Sequence, residues 1–479
     1  KILLIKQKGQ IHAIGTKCTH YGALLHTGAL GDGRIRCPWH GACFNIKTGD
    51  IEDYPGLDSL PCFQVNIDTS GFVHVKANRK DLEFSRRIKD MCERDPNNTN
   101  TVIIVGGGPA AATCAESLRQ ENFTGNITMI CKENVLPYDR VKVSKAFDLD
   151  IEKIILRPNS FYKDHKIETK LDIEATGSMA RMPEIPGVNL SNIHVLRNYT
   201  DAQTINSKLS IEKHVIILGL GFIAMEAAAF CAKKCASITI IGRGKTPLQP
   251  VFGTDIGNRI KQQFENQGIK FIFEHDITQF VAKKDDSTAV GTVVLNDDQI
   301  LPADIVIIGI GAEVYTEWIK QSPIEMLPDG TIKVDKIYLK TNVENIYAGG
   351  DVAYAPLFGS DEISAAIGHY PLAHYHGKIA ALNISGKTTA LNAVPFFWTT
   401  LFGKSYRYVG RKNTGYGKPE KIRIYGSLEK LEFFIAMSSV AADPIVSDFA
   451  NFLYEGKTLT ETEINRDPFN WIRNKPKDL

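Results

Sequence analysis

The chain has 479 residues, 43% hydrophobic and 23% charged, with 56 Lys and Arg against 54 Asp and Glu for a net charge of +2. That length supports several cores, about three domains at ~150 residues each. The near-neutral balance argues against a dedicated nucleic-acid binder, whose domain would be strongly basic, and no apolar run approaches the ~20 residues that span a bilayer. Lys1 to Ile5 reads as a strand, without the charged start and apolar core of a signal peptide. Nine cysteines, at 18, 37, 43, 62, 92, 114, 131, 231 and 235, are odd in number and scattered. A disulfide scaffold is not expected, and a reducing intracellular compartment is.

Residues 1–80 carry strand patterns and turns, such as Gly31-Asp32-Gly33, Thr48-Gly49-Asp50 and the alternating run Phe63-Gln64-Val65-Asn66-Ile67. Within them Cys18-Thr19-His20 and Cys37-Pro38-Trp39-His40, sixteen residues apart, each put one thiolate and one imidazole on a loop. Two cysteines for one iron and two histidines for the other are the ligand set of a Rieske-type [2Fe–2S] centre. Gly22 and Gly41 let the backbone turn closely around the ligands, and Pro38 stiffens the second loop. A Cys₂His₂ zinc site is the alternative, but zinc motifs usually keep cysteines with cysteines and histidines with histidines. The mixed loops favour the iron–sulfur centre, with Cys18, His20, Cys37 and His40 as ligands and Cys43 as a packing residue. The C-x-H…C-x-x-H pattern resembles that of the Rieske family. Respiratory members add two cysteines that bridge the loops, whereas Ala23 and Trp39 stand at the matching positions here. The resemblance is thus to ferredoxin-type Rieske domains, which implies a potential near the low end of the range, around −150 mV.

Residues 81–100 turn charged and then polar, as a linker does. From Thr101 the pattern is βα. Val105-Gly106-Gly107-Gly108-Pro109-Ala110-Ala111 follows a β-branched run and opens an Ala-rich helix. Gly106 makes the turn, Gly108 admits a pyrophosphate at the helix start, and Ala111 stands where the helix packs on the strand. Glu133, after the next strand, is the candidate ribose carboxylate. The pattern recurs at Leu218-Gly219-Leu220-Gly221-Phe222-Ile223-Ala224. There Gly219, Gly221 and Ala224 hold the fingerprint positions. The following strand ends in Gly242-Arg243-Gly244-Lys245 instead of a carboxylate. Arg243 and Lys245 are therefore expected to receive a 2′-phosphate, which favours NADPH over NADH. Cys231 and Cys235 read as an i, i+4 pair packed on one helix. His374 and His376, two apart, are not expected to share a metal. A strand-rich C-terminal region, with Phe396-Phe397-Trp398 and Lys421–Tyr425, reads as α+β.

Thr341–Asp351 resembles the T-x₅-Y-A-x-G-D segment of two-dinucleotide flavoproteins. Ala175-Thr176-Gly177 resembles their A-T-G crossover, and Pro137-Tyr138-Asp139-Arg140 with Ser144-Lys145 resembles their P-Y-[ED]-R…S-K stretch. Together with the iron–sulfur loops these resemble the Rieske-containing branch of the apoptosis-inducing-factor family, near the ferredoxin reductases of oxygenase systems. The resemblance implies a multidomain chain: a β-rich Rieske [2Fe–2S] domain (1–80), a linker (81–100), an α/β FAD-binding domain (101–197 and 306–392), an NAD(P)H-binding domain (198–305) and an α+β C-terminal domain (393–479). It implies that Asp351 binds the FAD ribityl chain and that Arg140, Lys145, Thr176 and His369 face the flavin. It also implies that Trp398 stacks near the flavin ring and that Glu226 lies near the nicotinamide, paired with Lys145. Lys145 and Glu226 are the expected catalytic pair. The implied path runs from NAD(P)H through FAD to the [2Fe–2S] centre, then through an exposed histidine edge, His20 and His40, to an unknown one-electron acceptor. The family also suggests mitochondria, and a signalling role is the rival reading. Two stretches depart from the family. Only Leu171–Glu174 stand where a strand hairpin is implied, and Ala436-Met437 reads as a strand lacking its hairpin partner.

Overall fold

The computed structural model describes the chain except for residues 80–81, 336, 357–363, 411–413, 417–421, 427–432, 458, 461–462, 464–465, 467–469 and 474–479. The first eight strands are β1 (Ile2–Gln7), β2 (Gln10–Gly15), β3 (Ala29–Gly31), β4 (Arg34–Arg36), β5 (Cys43–Asn45), β6 (Ile51–Asp53), β7 (Cys62–Ile67) and β8 (Val73–Lys76). They form two antiparallel sheets, β1-β2-β7-β8 and β3-β4-β5-β6, around Ile14, Leu25, Phe44, Ile46 and Leu60. One ligand segment joins β2 to β3 and the other joins β4 to β5. The expected linker is tied down at both ends. Arg87 exchanges backbone hydrogen bonds with Ser59, 2.8 Å each, and its guanidinium pairs with Asp50. The Cys92 and Asp95 N–H groups bond the carbonyls of Arg119 and Thr124 at 3.0 Å.

The first βα unit comprises β9 (Thr101–Val105), α1 (Pro109–Gln120) and β10 (Asn126–Ile130). After the short helices α2 (Arg140–Val143) and α3 (Asn159–Asp164), β11 (Ile167–Lys170) completes a parallel sheet of order β11-β10-β9. The chain then turns straight back. Asp172 is left-handed at φ 59°, the Ile173 N–H bonds the Cys131 carbonyl at 3.0 Å, and Ala175-Thr176-Gly177 follow. In place of the implied hairpin, β12 (Ser178–Ala180) pairs with β21 (Ala312–Val314).

The second parallel sheet has order β13-β20-β14-β15-β16, with β13 Ile193–Val195, β14 His214–Leu218, β15 Ser237–Gly242, β16 Lys270–Phe273 and β20 Ile305–Ile308. Its Ile- and Val-rich strands are covered on both faces, as parallel sheets require. Val215, Ile217, Ile240 and Ile305 pack under α4 (Tyr199–Lys208), α5 (Phe222–Cys231) and α6 (Gln249–Glu265). Ile216, Leu218, Ile241 and Ile308 pack under an antiparallel meander of β17 (Ile277–Ala282), β18 (Val290–Leu295) and β19 (Ile300–Pro302). Hydrogen bonding corrects the expected boundaries, since Ile193–Val195 and Val306–Ile308 join this sheet and not the first. An apolar run states that a strand is buried, not which sheet takes it. The helix after the second fingerprint ends at Cys231, with Lys233 left-handed at φ 64°, so Cys235 is not on it.

A small sheet of β22 (Ile332–Lys333), β23 (Ala353–Pro356) and β24 (Ser364–Ala365) leads to α7 (Tyr370–Ile384). A Cβ on Gly377 would lie 2.1 Å from the Ala110 carbonyl oxygen, so glycine permits the close approach of α7 to α1. The last unit is a sheet of order β25-β26-β29-β28-β27 with α8 (Ile445–Tyr454). Its strands are β25 Phe396–Leu401, β26 Lys404–Gly410, β27 Thr414–Tyr416, β28 Ile422–Gly426 and β29 Phe433–Val440. Ala436 pairs with Gly410 on one side and Tyr425 on the other, so Ala436-Met437 is mid-sheet rather than partnerless. Lys421 lies outside the described residues.

Candidate redox site

The two ligand loops are built alike. Cys18 N–H bonds Ala23 O (2.8 Å) and Gly22 N–H returns to Cys18 O (2.9 Å); Cys37 N–H bonds Ala42 O (2.7 Å) and Gly41 N–H returns to Cys37 O (3.3 Å). Gly22 and Gly41, each four residues past its cysteine, are left-handed at φ 81° and 78°. The loops bring the Nδ1 atoms of His20 and His40 within 3.1 Å. They also hydrogen-bond the Cys18 thiol to Cys37, which raises the first and favours the thiolate of the second. Among the described residues no three His, Cys, Asp or Glu side chains gather as ligands of one ion. The four meet as a thiol pair and an imidazole pair, the division a two-iron centre needs and a single zinc does not. Cys43 is fully buried, its thiol pushed up to about 12 by burial, and it packs as expected. All nine cysteines are free.

The histidine edge is not exposed, which corrects the expected exit route. His20 stacks on Tyr21 with ring centroids 3.6 Å apart, and Trp398 of β25 covers both histidines, 4.4 Å from His40 and 5.9 Å from His20. Tyr21 donates to Asp139 of the Pro-Tyr-Asp-Arg stretch at 2.5 Å. Arg157, on the reductase side, bonds Asp58 at 2.7 Å and Glu116 at 2.8 Å, all three nearly buried. Arg36, fully buried, reaches Asp53 (2.6 Å), Gly41 O (2.8 Å) and Asn451 of α8 (2.8 Å). Ser447 and Arg407 bond the Cys37 and Trp39 carbonyls at 2.9 and 2.7 Å. A Cβ on Gly41 would meet the Phe396 ring at 2.6 Å. The N-terminal domain is therefore seated on the reductase with its ligand histidines inward. Sequence reading missed Tyr21, Arg157, Arg197 and Arg407. Tyr21 had a signal in its place beside His20, whereas the three arginines had none.

The first fingerprint makes an open helix start. Gly106 takes φ 149° and its N–H bonds Ile130 O at 2.8 Å. Gly108 caps α1 with no side-chain cap, and a Cβ there would meet nothing within 4 Å. Ala111 is buried, and Thr176 donates to Val105 O at 2.7 Å, bringing the crossover to this turn. Asp351 accepts from Ser178 (2.5 Å) and Arg197 (2.8 Å). His369 caps α7, its Nδ1 buried without a hydrogen-bond partner and its ring held neutral by burial, with the pKa down to about 4. Tyr370 Oη and His376 Nε2 are likewise buried and unbonded. Such orphaned polar atoms beside an uncapped helix start fit a large polar ligand such as FAD. Glu133 bonds Tyr138 Oη at 2.7 Å and pairs with Arg140, so these two expected contacts lie together. Phe397, not Trp398, sits against His369 (5.0 Å) and Phe222 (4.0 Å). Successive strand residues face opposite ways, which gives Phe397 and Trp398 different neighbours.

The expected pair forms: Lys145 Nζ is 2.7 Å from Glu226, which also accepts from Thr399 (2.6 Å) and Ser144 and is only 4% exposed. At the second fingerprint Gly219 takes φ 125° and a Cβ there would strike Gly309 O at 2.3 Å. Gly221 caps α5 with no side-chain cap, and Ala224 is fully buried. Arg243 lies on Asp276 and Lys245 is 4.0 Å from Glu274, so each expected phosphate cation already has an acidic neighbour.

Residues 1–64 match the Rieske [2Fe-2S] domain family, and residues 100–158 and 148–377 match the pyridine nucleotide-disulphide oxidoreductase family. The chain is 35% identical to Apoptosis-inducing factor 3 of Mus musculus, over 97% of this chain and 82% of that protein. It is 28% identical, over 78% of its length and 97% of the relative, to the ferredoxin–NAD(+) reductase subunit of the benzene 1,2-dioxygenase system of Pseudomonas putida. A ferredoxin reductase from Rhodopseudomonas palustris has the same fold, with TM-score 0.70 and 24% identity over 78% of this chain and 99% of that one. The mouse alignment spans 505 positions, more than this chain's 479 residues, so that relative carries segments absent here. These families bring FAD, NAD(P)H and a [2Fe–2S] cluster as cofactors. The chain belongs to the Rieske-containing branch of the apoptosis-inducing-factor family and is an NAD(P)H-dependent flavoprotein oxidoreductase.

Proposed function

We propose that this reductase uses its own N-terminal domain as the first one-electron acceptor, in place of a separate ferredoxin. The observation that carries this is the inward histidine edge, with Trp398 of the reductase 4.4 Å from His40 and Tyr21 bonded to Asp139. When bound, FAD supplies the conversion of a two-electron hydride into single electrons, and a [2Fe–2S] centre supplies a one-electron store. Cys18, Cys37, His20 and His40 would hold the cluster. The start of α1 with Asp351, Thr176 and His369 would hold FAD, and the turn at Gly219 and Gly221 with Ala224 would hold the nucleotide. Glu226, bonded to Lys145 at 2.7 Å, keeps that ammonium in one place at the start of α5. Phe397 and Phe222 set apolar rings beside His369.

The test is anaerobic single turnover with NADH and with NADPH, followed by low-temperature EPR. The reading expects a Rieske signal to grow in after the flavin bleaches, without any added acceptor. It also expects His40→Cys to keep the bleaching and lose that signal. A flavin that bleaches while the cluster stays oxidised refutes the reading. The same measurement bears on the signalling alternative, in which nucleotide binds without turnover.

A further inference from the structure

The second ligand loop is held from outside its own domain. Ser447 of α8 donates to the Cys37 carbonyl at 2.9 Å, and Arg407 Nε of β26 donates to the Trp39 carbonyl at 2.7 Å. The Trp39 side chain is 41% exposed, so the loop meets solvent through that indole and the reductase through its carbonyls. Cys37 and His40 bracket Trp39, which puts the guanidinium against the chain between two ligands. Its charge reaches both of them. The Cys37 thiolate is favoured by the hydrogen bond with Cys18 and, further, by Arg407. The His40 ring is held neutral by burial and, next, by Arg407. Lys145 acts on His40 as well, but its ammonium is paired with Glu226 at 2.7 Å.

The counter-charge of Arg407 is placed unequally. Arg407 pairs with Asp443, just before α8, and the carboxylate side chain is 33% exposed where the guanidinium side chain is 4%. Water screens the exposed partner more than the buried one, so the pair leaves a positive field on its buried side. A second buried guanidinium at this loop behaves differently. Arg36 donates to Gly41 O at 2.8 Å and pairs with Asp53 at 2.6 Å, and those side chains are 1% and 11% exposed, so their fields largely cancel.

We propose that Arg407, from the C-terminal unit of the reductase, sets the reduction potential of the [2Fe–2S] centre seated beside it. Reduction adds one electron, and so one negative charge, to the centre, with no bond made or broken. A fixed cation beside the ligands favours that state, and net charge and solvent exposure are levers on such a potential. The reductase thus raises the potential of its own acceptor, and Asp443 limits the rise. This rests on the internal-acceptor function proposed above and says how that acceptor is matched to the flavin.

The test is an anaerobic redox titration of the holoenzyme with mediators and dithionite, read by low-temperature EPR of the reduced cluster. Arg407→Met is expected to lower the equilibrium constant for cluster reduction roughly tenfold or more, about 59 mV for a one-electron couple. Arg407→Lys keeps the charge and recovers most of that loss. Asp443→Asn removes the counter-charge and shifts the potential the opposite way, upward. That rise decides the question even where Arg407→Met loses its cluster, because a loosened loop does not produce it. Ser447→Ala removes a carbonyl hydrogen bond but no charge, and moves the constant less than about threefold. A fall or no change with Asp443→Asn, or an Arg407→Met constant within about threefold of the unmodified one, overturns the assignment. A cluster that dithionite reduces and NADH does not overturns the internal-acceptor reading instead, while opposed shifts in the two variants still uphold Arg407.

Discussion

Replacing Arg157 by methionine tests whether the buried ion triad holds the two halves of the molecule together. Arg157 bonds Asp58 of the N-terminal domain at 2.7 Å and Glu116 of α1 at 2.8 and 3.0 Å. Methionine keeps much of the volume but leaves two carboxylates, 10% and 4% exposed, without their cation. Among the described residues Glu116 retains the Gln120 amide at 2.9 Å, and Asp58 retains Arg86 at 3.8 Å, a side chain 59% exposed. Removing one partner of a buried pair costs about 3–5 kcal/mol, and the two stranded like charges put this case in the upper half of that range. Burial already raises the Glu116 carboxyl despite Arg157. Without the guanidinium it rises further, so the loss is largest at neutral pH and shrinks as the carboxyls take up protons in acid. Denaturant midpoints at pH 7 and pH 5 measure it, and proteolysis within residues 81–100 reports undocking. Adding Asp58→Asn and Glu116→Gln removes the stranded charges and is expected to restore most of the stability. A loss under about 1 kcal/mol in the single variant, or a triple variant no better than the single one, refutes the reasoning.

Glu226→Gln takes away the anion that holds Lys145 and is expected to slow flavin bleaching by NAD(P)H roughly ten- to a hundredfold, read by stopped flow; an unchanged rate removes the pair from the chemistry. Asp276→Asn frees the Arg243 guanidinium and is expected to shift the ratio of kcat/KM for NADPH over NADH upward about ten- to a hundredfold. No shift would mean that Arg243 does not reach the 2′-phosphate. His376, 2% exposed, has its pKa lowered by burial from 6.5 to about 4, and its Nδ1 accepts the Gly350 N–H at 3.1 Å. Between those two values the unfolded chain binds a proton that the folded one does not, so stability falls as pH drops from about 6.5 to 4, by about 1.4 kcal/mol per pH unit. His376→Asn is expected to flatten that slope by one proton, and an unaltered slope in pH-dependent unfolding counts against it.

The chemistry of this chain is written locally. Cys18 with His20 and Cys37 with His40 lie within four residues of each other on their loops, and the glycines that close those loops follow at a fixed spacing, so ligand identity needs no knowledge of the fold. The turns at Gly106 and Gly219 are equally local, because a strand, a glycine turn and a helix start suffice to define a dinucleotide site. Even the missing hairpin was legible, since four residues cannot make it. What the sequence withheld depends on pairs far apart along the chain. Tyr21 meets Asp139, Arg157 meets Asp58 and Arg407 meets Trp39, the last across 368 positions. The Asp276 carboxylate beside Arg243 and the His40 ring beside Trp398 are likewise contacts that no local pattern gives. Ligation and turn formation are short-range and set by residue type. The direction in which a finished domain faces is set by the complementarity of two surfaces, and tertiary packing alone decided that the histidines point inward and Trp39 out.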